Sequence, residues 1–264
     1  MKSKEAIKDI KLFLFDMDGT LYIGDRLFDF TKELLDTIKK SGKKYLFMTN
    51  NSSKSVADYV KKLENFGIEA DKNDFITSSQ ATALYLKANC PNDRLYVCGT
   101  RSLKNELIEN GFTVTENIDD VDCIVMGFDT ELTFKKLEDA CILLNRGVDY
   151  IATNPDWVCP TWYGSVPDCG SIAGILKTAT GRMPRFIGKP EPDMALLAMQ
   201  KTGFSKEETV LLGDRLYTDI ACGVHAGIST VFMLSGEGTM DDLKDSPEQP
   251  EFIYENIKKL YDDI

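Results

Sequence analysis

Histidine occurs once in the 264 residues, at His225, and from one histidine in that context, after a helix, neither a Ser-His-Asp triad nor a histidine-built metal centre is expected; His225 is expected to be a structural helix residue. No apolar run approaches the roughly 20 residues of a membrane span. Met1 to Lys11 alternates charged and small apolar residues where a secretion signal would carry a long apolar core. The seven cysteines (Cys90, Cys98, Cys123, Cys141, Cys159, Cys169 and Cys222) are odd in number, widely spaced and never form Cys-x-x-Cys. That argues against a disulfide scaffold or a zinc ribbon and predicts reduced thiols in a cytoplasmic protein. Basic residues are outnumbered, 31 Lys+Arg to 42 Asp+Glu, for a net charge of −11. A nucleic-acid partner needs a basic face and is not expected, nor is a membrane partner. A phosphorylated small molecule remains open, because one metal ion and one lysine reverse a local field. There is no repeat and no proline-rich linker, so any second domain must be inserted rather than appended.

What is present is strand-helix alternation from end to end. Strands are predicted at Leu12 to Phe15, Lys44 to Met48, Phe75 to Thr77, Leu95 to Cys98, Cys123 to Met126, Tyr150 to Thr153, Arg185 to Ile187, Val210 to Leu212 and Thr230 to Met233. Amphipathic helices are predicted at Phe30 to Lys40, Val56 to Phe66, Phe134 to Leu144 and Met194 to Lys201. Alternation of this kind implies an α/β protein with a doubly wound parallel sheet. Glycines 42 and 67 suit left-handed helix caps.

Four of the strands end in polar motifs. The apolar run Leu12 to Phe15 leads into Asp16-Met17-Asp18-Gly19-Thr20. A strand buried on both faces delivers these two carboxylates to the carboxyl rim of the sheet, where open α/β folds bind ligands. Two carboxylates that close need a cation or a proton. Asp-Gly alone is an ordinary turn; the full string after four apolar residues is far more restrictive. Lys44 to Met48 runs into Thr49-Asn50-Asn51-Ser52-Ser53 before a helix starting near Lys54. This is an anion site at a helix N-terminus or simple capping by Asn51, Ser52 or Ser53, and the two are compatible. Phe186-Ile187 leads to Gly188-Lys189-Pro190, in which Gly188 lets the backbone approach closely. Val210 to Leu212 leads to Gly213-Asp214-Arg215-Leu216-Tyr217-Thr218-Asp219-Ile220.

These four strings, in this order, resemble the motifs of the haloacid dehalogenase (HAD) superfamily. Thr-Asn-Asn and Gly-Lys-Pro are similar to those of its subfamily IIA, the NagD-like or 4-nitrophenylphosphatase-type branch. The resemblance implies a Rossmann-like core and a magnesium-dependent phosphomonoester hydrolase working through an aspartyl-phosphate. It makes Asp16 the nucleophile and Asp18 the acid and base, and it makes Lys189 the residue that neutralises charge on the phosphate. Thr49, the Asn50 backbone, Lys189 and Gly19 would hold the phosphoryl group. Mg²⁺ would be bound by Asp16, Asp214 and the Asp18 carbonyl, with Asp219 orienting the site from behind the ligands. The expected substrate is a small phosphorylated metabolite, a nucleotide or sugar phosphate, with 4-nitrophenyl phosphate as an artificial one. A phosphotransferase or mutase, and a non-catalytic phosphate-binding module, are the alternatives.

Between Asp18 and the helix near Phe30 there is room only for a small hairpin with Tyr22 to Arg26 at its tip. Between Thr49 and Lys189 lie enough residues for a compact unit with its own core. The expected division is a discontinuous core, 1–78 and 183–264, carrying an inserted α/β cap of the C2 type at 79–182, through which the branch allows a homodimer. Asn154-Pro155-Asp156 and Val166 to Ser171 are either rim loops of that cap or ordinary turns with a serine cap.

Overall fold

The computed structural model describes residues 4–161 and 163–264. The chain forms two compact units. One comprises the segment ending at Thr49, Val60–Ile76 and the segment from Lys189 onward; the other comprises Asn50–Tyr59 and Thr77–Gly188.

The first unit is built on a six-stranded sheet in the order Phe252–Tyr254, Ser229–Met233, Thr209–Gly213, Leu12–Asp16, Lys44–Thr49, Phe75–Thr77. Pairing is parallel from the first of these through Lys44–Thr49. Leu12, Phe13, Leu14 and Phe15 are fully buried, as a strand covered by helices on both faces must be. Leu12–Asp16 has its chain successor on one side and a strand from near the C-terminus on the other. It therefore sits at the switch point of the winding, the place where a doubly wound sheet opens a crevice at its carboxyl ends. A run of aromatic contacts ties the sheet laterally: Phe15 to Tyr45 at 6.3 Å between ring centroids, Tyr45 to Phe47 at 5.3 Å and Phe47 to Phe75 at 5.2 Å. Burial of each ring contributes roughly 1.5–3 kcal/mol.

Helix Thr31–Lys40 buries Thr31, Leu34, Leu35 and Ile38, the i, i+3, i+4, i+7 stripe of an amphipathic helix. It ends where Gly42 takes φ +75° and Lys43 N–H closes back to the Ile38 carbonyl at 3.1 Å, a left-handed cap that disfavours any side chain. The expected hairpin is present, Tyr22–Ile23 against Arg26–Leu27.

The second unit has its own parallel sheet, five strands in the order Arg185–Phe186, Asp149–Ala152, Cys123–Met126, Arg94–Cys98, Thr113–Val114. Its core packs Tyr96, Ile124, Met126, Leu143, Ile172 and Leu176 between sheet and helices. The limits 79 and 182 expected for the insertion fall inside those of this unit. At one end, helix Ser78–Asn89 starts with a reciprocal cap between Thr77 and Gln80, so the whole helix belongs here. At the other, Arg185–Phe186 pairs with Ile151 and Ala152, and Gly188 N–H bonds the Thr153 carbonyl at 2.8 Å. Both sheets are those of an α/β protein, as expected.

Two local readings are corrected. Helix Val56–Asn65 is capped by none of Asn51, Ser52 and Ser53. Ser55 and Asp58 exchange hydrogen bonds ahead of it, while Asn51 closes a turn by accepting from Ser53 N–H at 2.9 Å and Ser52 is used elsewhere. Helix Cys169–Thr180 is capped by the Asp168 carboxylate rather than by a serine, and the Ser171 hydroxyl donates to the Trp157 carbonyl. None of the seven cysteines forms a disulfide. No described helix is long and apolar enough to cross a membrane.

Candidate active site

The rim of the six-stranded sheet gathers four of the predicted residues. Asp16 is the last residue of Leu12–Asp16. Asp214 follows Thr209–Gly213. Asp219 lies in a π-helical turn, Leu216–Ile220, in which Ile220 N–H reaches back five residues to the Arg215 carbonyl at 3.2 Å. Such turns widen a helix start and recur at functional sites. Lys189, 3% exposed, places its Nζ 2.6 Å from Asp16 Oδ1 and 2.5 Å from Asp219 Oδ1. Asp219 spends its other oxygen on Arg215 N–H at 3.1 Å.

Three carboxylates and one ammonium leave the cluster with two negative charges in excess. Burial pushes the Asp16 carboxyl well up; Lys189 opposes this, and the nearby Asp219 and Asp214 charges add to it. Burial and then the Asp219 charge push Asp214 up to about 6. Burial would lower the Lys189 pKa, but Asp16 and Asp219 outweigh it and hold the ammonium charged. The arrangement calls for a further cation.

A divalent metal fits the residues present. Asp16, Asp214 and Asp219 each offer an oxygen within 4.8 Å of the other two. Asp214 Oδ2 accepts from Glu237 N–H at 2.7 Å, whereas buried Asp214 Oδ1 has no hydrogen-bond partner among the described residues. A buried carboxylate oxygen without a donor is costly unless a ligand supplies the missing charge. An all-oxygen donor set suits a hard ion such as Mg²⁺. Asp214 is also tightly enclosed: a Cβ on Gly19, which has φ +90°, would stand 2.4 Å from Asp214 Oδ2, and one on Gly236 2.0 Å from it.

The other predicted residues are distributed around this centre. The Asp18 carboxylate stands outside the carboxylate cluster, half exposed, 3.7 Å from Lys62 Nζ and 3.4 Å from the Tyr22 hydroxyl. Lys62 in turn lies 3.7 Å above the Tyr22 ring. Thr49 is buried at the end of Lys44–Thr49. Asn50 belongs to the second unit, where its side chain donates to Asp156 at 2.7 Å and its carbonyl accepts from the Ser78 hydroxyl at 2.7 Å. Asn154 and Asp156 are buried there. His225 contacts the Pro190 carbonyl at 2.9 Å, a structural role.

Sequence reasoning missed Tyr22 and Lys62 beside Asp18. It also missed the loop after Ser229–Met233, where the Ser235 hydroxyl donates to the Gly19 carbonyl at 2.9 Å and Glu237 N–H binds Asp214. The signal was available: Ser235-Gly236-Glu237-Gly238 leaves a fully buried strand next to the one that leads to Asp214.

Fold and rim together define a doubly wound α/β protein with a buried carboxylate and lysine centre whose donor set fits a cation. Residues 13–113 match the model of the haloacid dehalogenase-like hydrolase family, and residues 186–260 match a second model, described as HAD-hydrolase-like. The chain is 33% identical over 253 residues to an acid sugar phosphatase of Staphylococcus aureus, covering 96% of this chain and 97% of that one. Its fold superposes on a 4-nitrophenylphosphatase of Thermotoga maritima with a TM-score of 0.92 at 38% identity, covering 99% of each chain. It also superposes on a glycerol phosphate phosphatase of Mycobacterium tuberculosis, whose structure is a complex with magnesium. That match has a TM-score of 0.90 at 30% identity, over 98% of this chain and 78% of that one. The chain belongs to the haloacid dehalogenase-like hydrolases, as an enzyme of the NagD-like phosphatase branch.

Proposed function

We propose that this protein is a magnesium-dependent phosphomonoester hydrolase that acts on small phosphorylated metabolites through an aspartyl-phosphate at Asp16. The observation that carries the reading is the buried cluster of Asp16, Asp214, Asp219 and Lys189 with its unpartnered Asp214 oxygen. When bound, Mg²⁺ supplies charge neutralisation between the carboxylates and the phosphate, with Asp16, Asp214 and the Asp18 carbonyl to hold it.

Asp16 is set to attack phosphorus with one carboxylate oxygen while Lys189 fixes the other. Lys189 also screens the incoming phosphoryl charge, and Asp219 keeps the lysine in place. Thr49, Gly19 and the Asn50 backbone hold the phosphoryl oxygens. Asp18 stands exposed, outside the cluster. It gives a proton to the leaving oxygen and then takes one from the water that cleaves the aspartyl-phosphate. The second unit serves as the cap and decides the leaving group. The relatives named for acid sugar phosphate, glycerol phosphate and 4-nitrophenyl phosphate support phosphate esters of sugars and polyols as the substrate class.

The test is release of inorganic phosphate from 4-nitrophenyl phosphate with Mg²⁺ and no added acceptor. Wild-type protein is expected to turn over, and Asp16→Asn is expected to lose at least about 10⁴-fold in kcat. A variant as fast as wild type would remove Asp16 from the nucleophile's role. Turnover that needs an added sugar acceptor would make the protein a phosphotransferase.

A further inference from the structure

Two of the site residues flank the places where the chain passes between the units. Thr49 is the last residue before Asn50, and Lys189 the first after Gly188. Within the second unit Asn50 and Gly188 are packed against each other: a Cβ on Gly188 would stand 2.6 Å from Asn50 Oδ1 and 2.5 Å from the Thr153 carbonyl. Asn50 is 8% exposed and Asp156 5% exposed. Asp156 Oδ2 accepts from Asn50 Nδ2 at 2.7 Å and from Asn154 Nδ2 at 2.9 Å. Asn154 Nδ2 also reaches Asp168 Oδ1 at 3.1 Å, so Asp156 is anchored from behind. The Ser78 hydroxyl fixes the Asn50 carbonyl. A buried network this fully engaged holds its members in one geometry.

We propose that Asp156 is a positioning residue for phosphoryl transfer: it holds the Asn50 side chain against Gly188 and so fixes the two peptide segments that deliver Thr49 and Lys189. The inference rests on the phosphatase reading above. Its physical basis is that displacing a phosphate-binding segment by about 1 Å can cost on the order of a hundredfold in rate. Asp156 touches no reacting atom in this account and acts only through Asn50.

The experiment uses the full chain with Mg²⁺ and 4-nitrophenyl phosphate, measuring kcat, KM and Tm. Asp156→Ala is expected to lower kcat by roughly ten- to a hundredfold with KM within about threefold of wild type. Asp156→Asn, which keeps an acceptor oxygen for both amides, is expected to stay within about threefold of wild type. Asn50→Asp faces carboxylate with carboxylate and should reproduce the loss. The exchanged pair N50D/D156N restores a donor opposite an acceptor and should recover at least about tenfold of kcat over N50D alone. A purely structural role would move Tm without this recovery of kcat. Should D156A fail to fold, the exchanged pair still decides. Folded D156A within about twofold of wild-type kcat, or an exchanged pair no faster than N50D, overturns the proposal. A wild type that releases no phosphate overturns the function itself, whereas an active wild type with an indifferent D156A overturns only the positioning role.

Discussion

The two units share one architecture, a parallel sheet wrapped by helices, and both bury polar side chains beyond the ends of their strands. They treat those groups in opposite ways. In the second unit Asn50, Asn154, Asp156 and Asp168 satisfy one another through hydrogen bonds of 2.7–3.1 Å, and the Ser52 hydroxyl accepts from Phe128 N–H at 2.9 Å. In the first, three carboxylates crowd one lysine and a buried oxygen of Asp214 has no donor among the described residues. Satisfied burial makes a scaffold. Burial left incomplete by a charge and a ligand makes a site.

The contrast is broken most severely at Lys189. Lys189→Met leaves Asp16 and Asp219 buried without their cation. Activity on 4-nitrophenyl phosphate should fall by about 10²–10³-fold, and metal-free stability by roughly 3–5 kcal/mol in urea unfolding. Retained stability would mean that the carboxylates find another cation.

Asp214→Asn should act in the opposite direction on stability. Asp214 is held at about 6 against an ordinary value of 3.8, so between these values the folded chain binds more protons than the unfolded one. With metal removed by a chelator, stability should therefore fall as pH rises through that window. Asp214→Asn removes the share of this dependence that Asp214 contributes and leaves that of Asp16. Above pH 6 it should stabilise the metal-free chain by on the order of 2 kcal/mol, a rise in Tm of roughly 5 °C, while abolishing the stabilisation that Mg²⁺ gives wild type. A Tm of the variant that still climbs with Mg²⁺ would place the metal elsewhere.

The smallest effect is expected in the satisfied unit. Asp168→Ala removes a helix cap and one acceptor of the Asn154 amide, and should cost roughly 1–2 kcal/mol in urea unfolding. A loss as large as that expected of Lys189→Met would show that the second network also holds a charge its partners do not compensate.

Much of this was legible in the sequence because the informative residues sit where an apolar run stops. Asp16 ends a buried strand, Asp214 directly follows another, and Lys189 lies three residues past the short, partly exposed strand Arg185–Phe186, so strand assignment carried their placement with it. What escaped was set by tertiary contact. Phe252–Tyr254 is three residues long, too short to show a period. The hairpin of Val158–Thr161 and Gly164–Pro167 carries no apolar-polar alternation. Lys62 is an ordinary surface lysine on a helix until folding sets it over Tyr22 and beside Asp18. The unit boundary also escaped, because Gly188 is tied to Thr153 across the sheet edge rather than by anything in its own neighbourhood.

The closeness of Gly19 and Gly236 to Asp214 has a consequence for how such a protein can change over time. Neither position can accept even a methyl group without moving the acid it encloses. Variation around this carboxylate is thus foreclosed one atom at a time. A lineage that takes up new phosphate esters must do so where atoms can still be added, away from the carboxylates, so its chemistry stays fixed while its diet drifts.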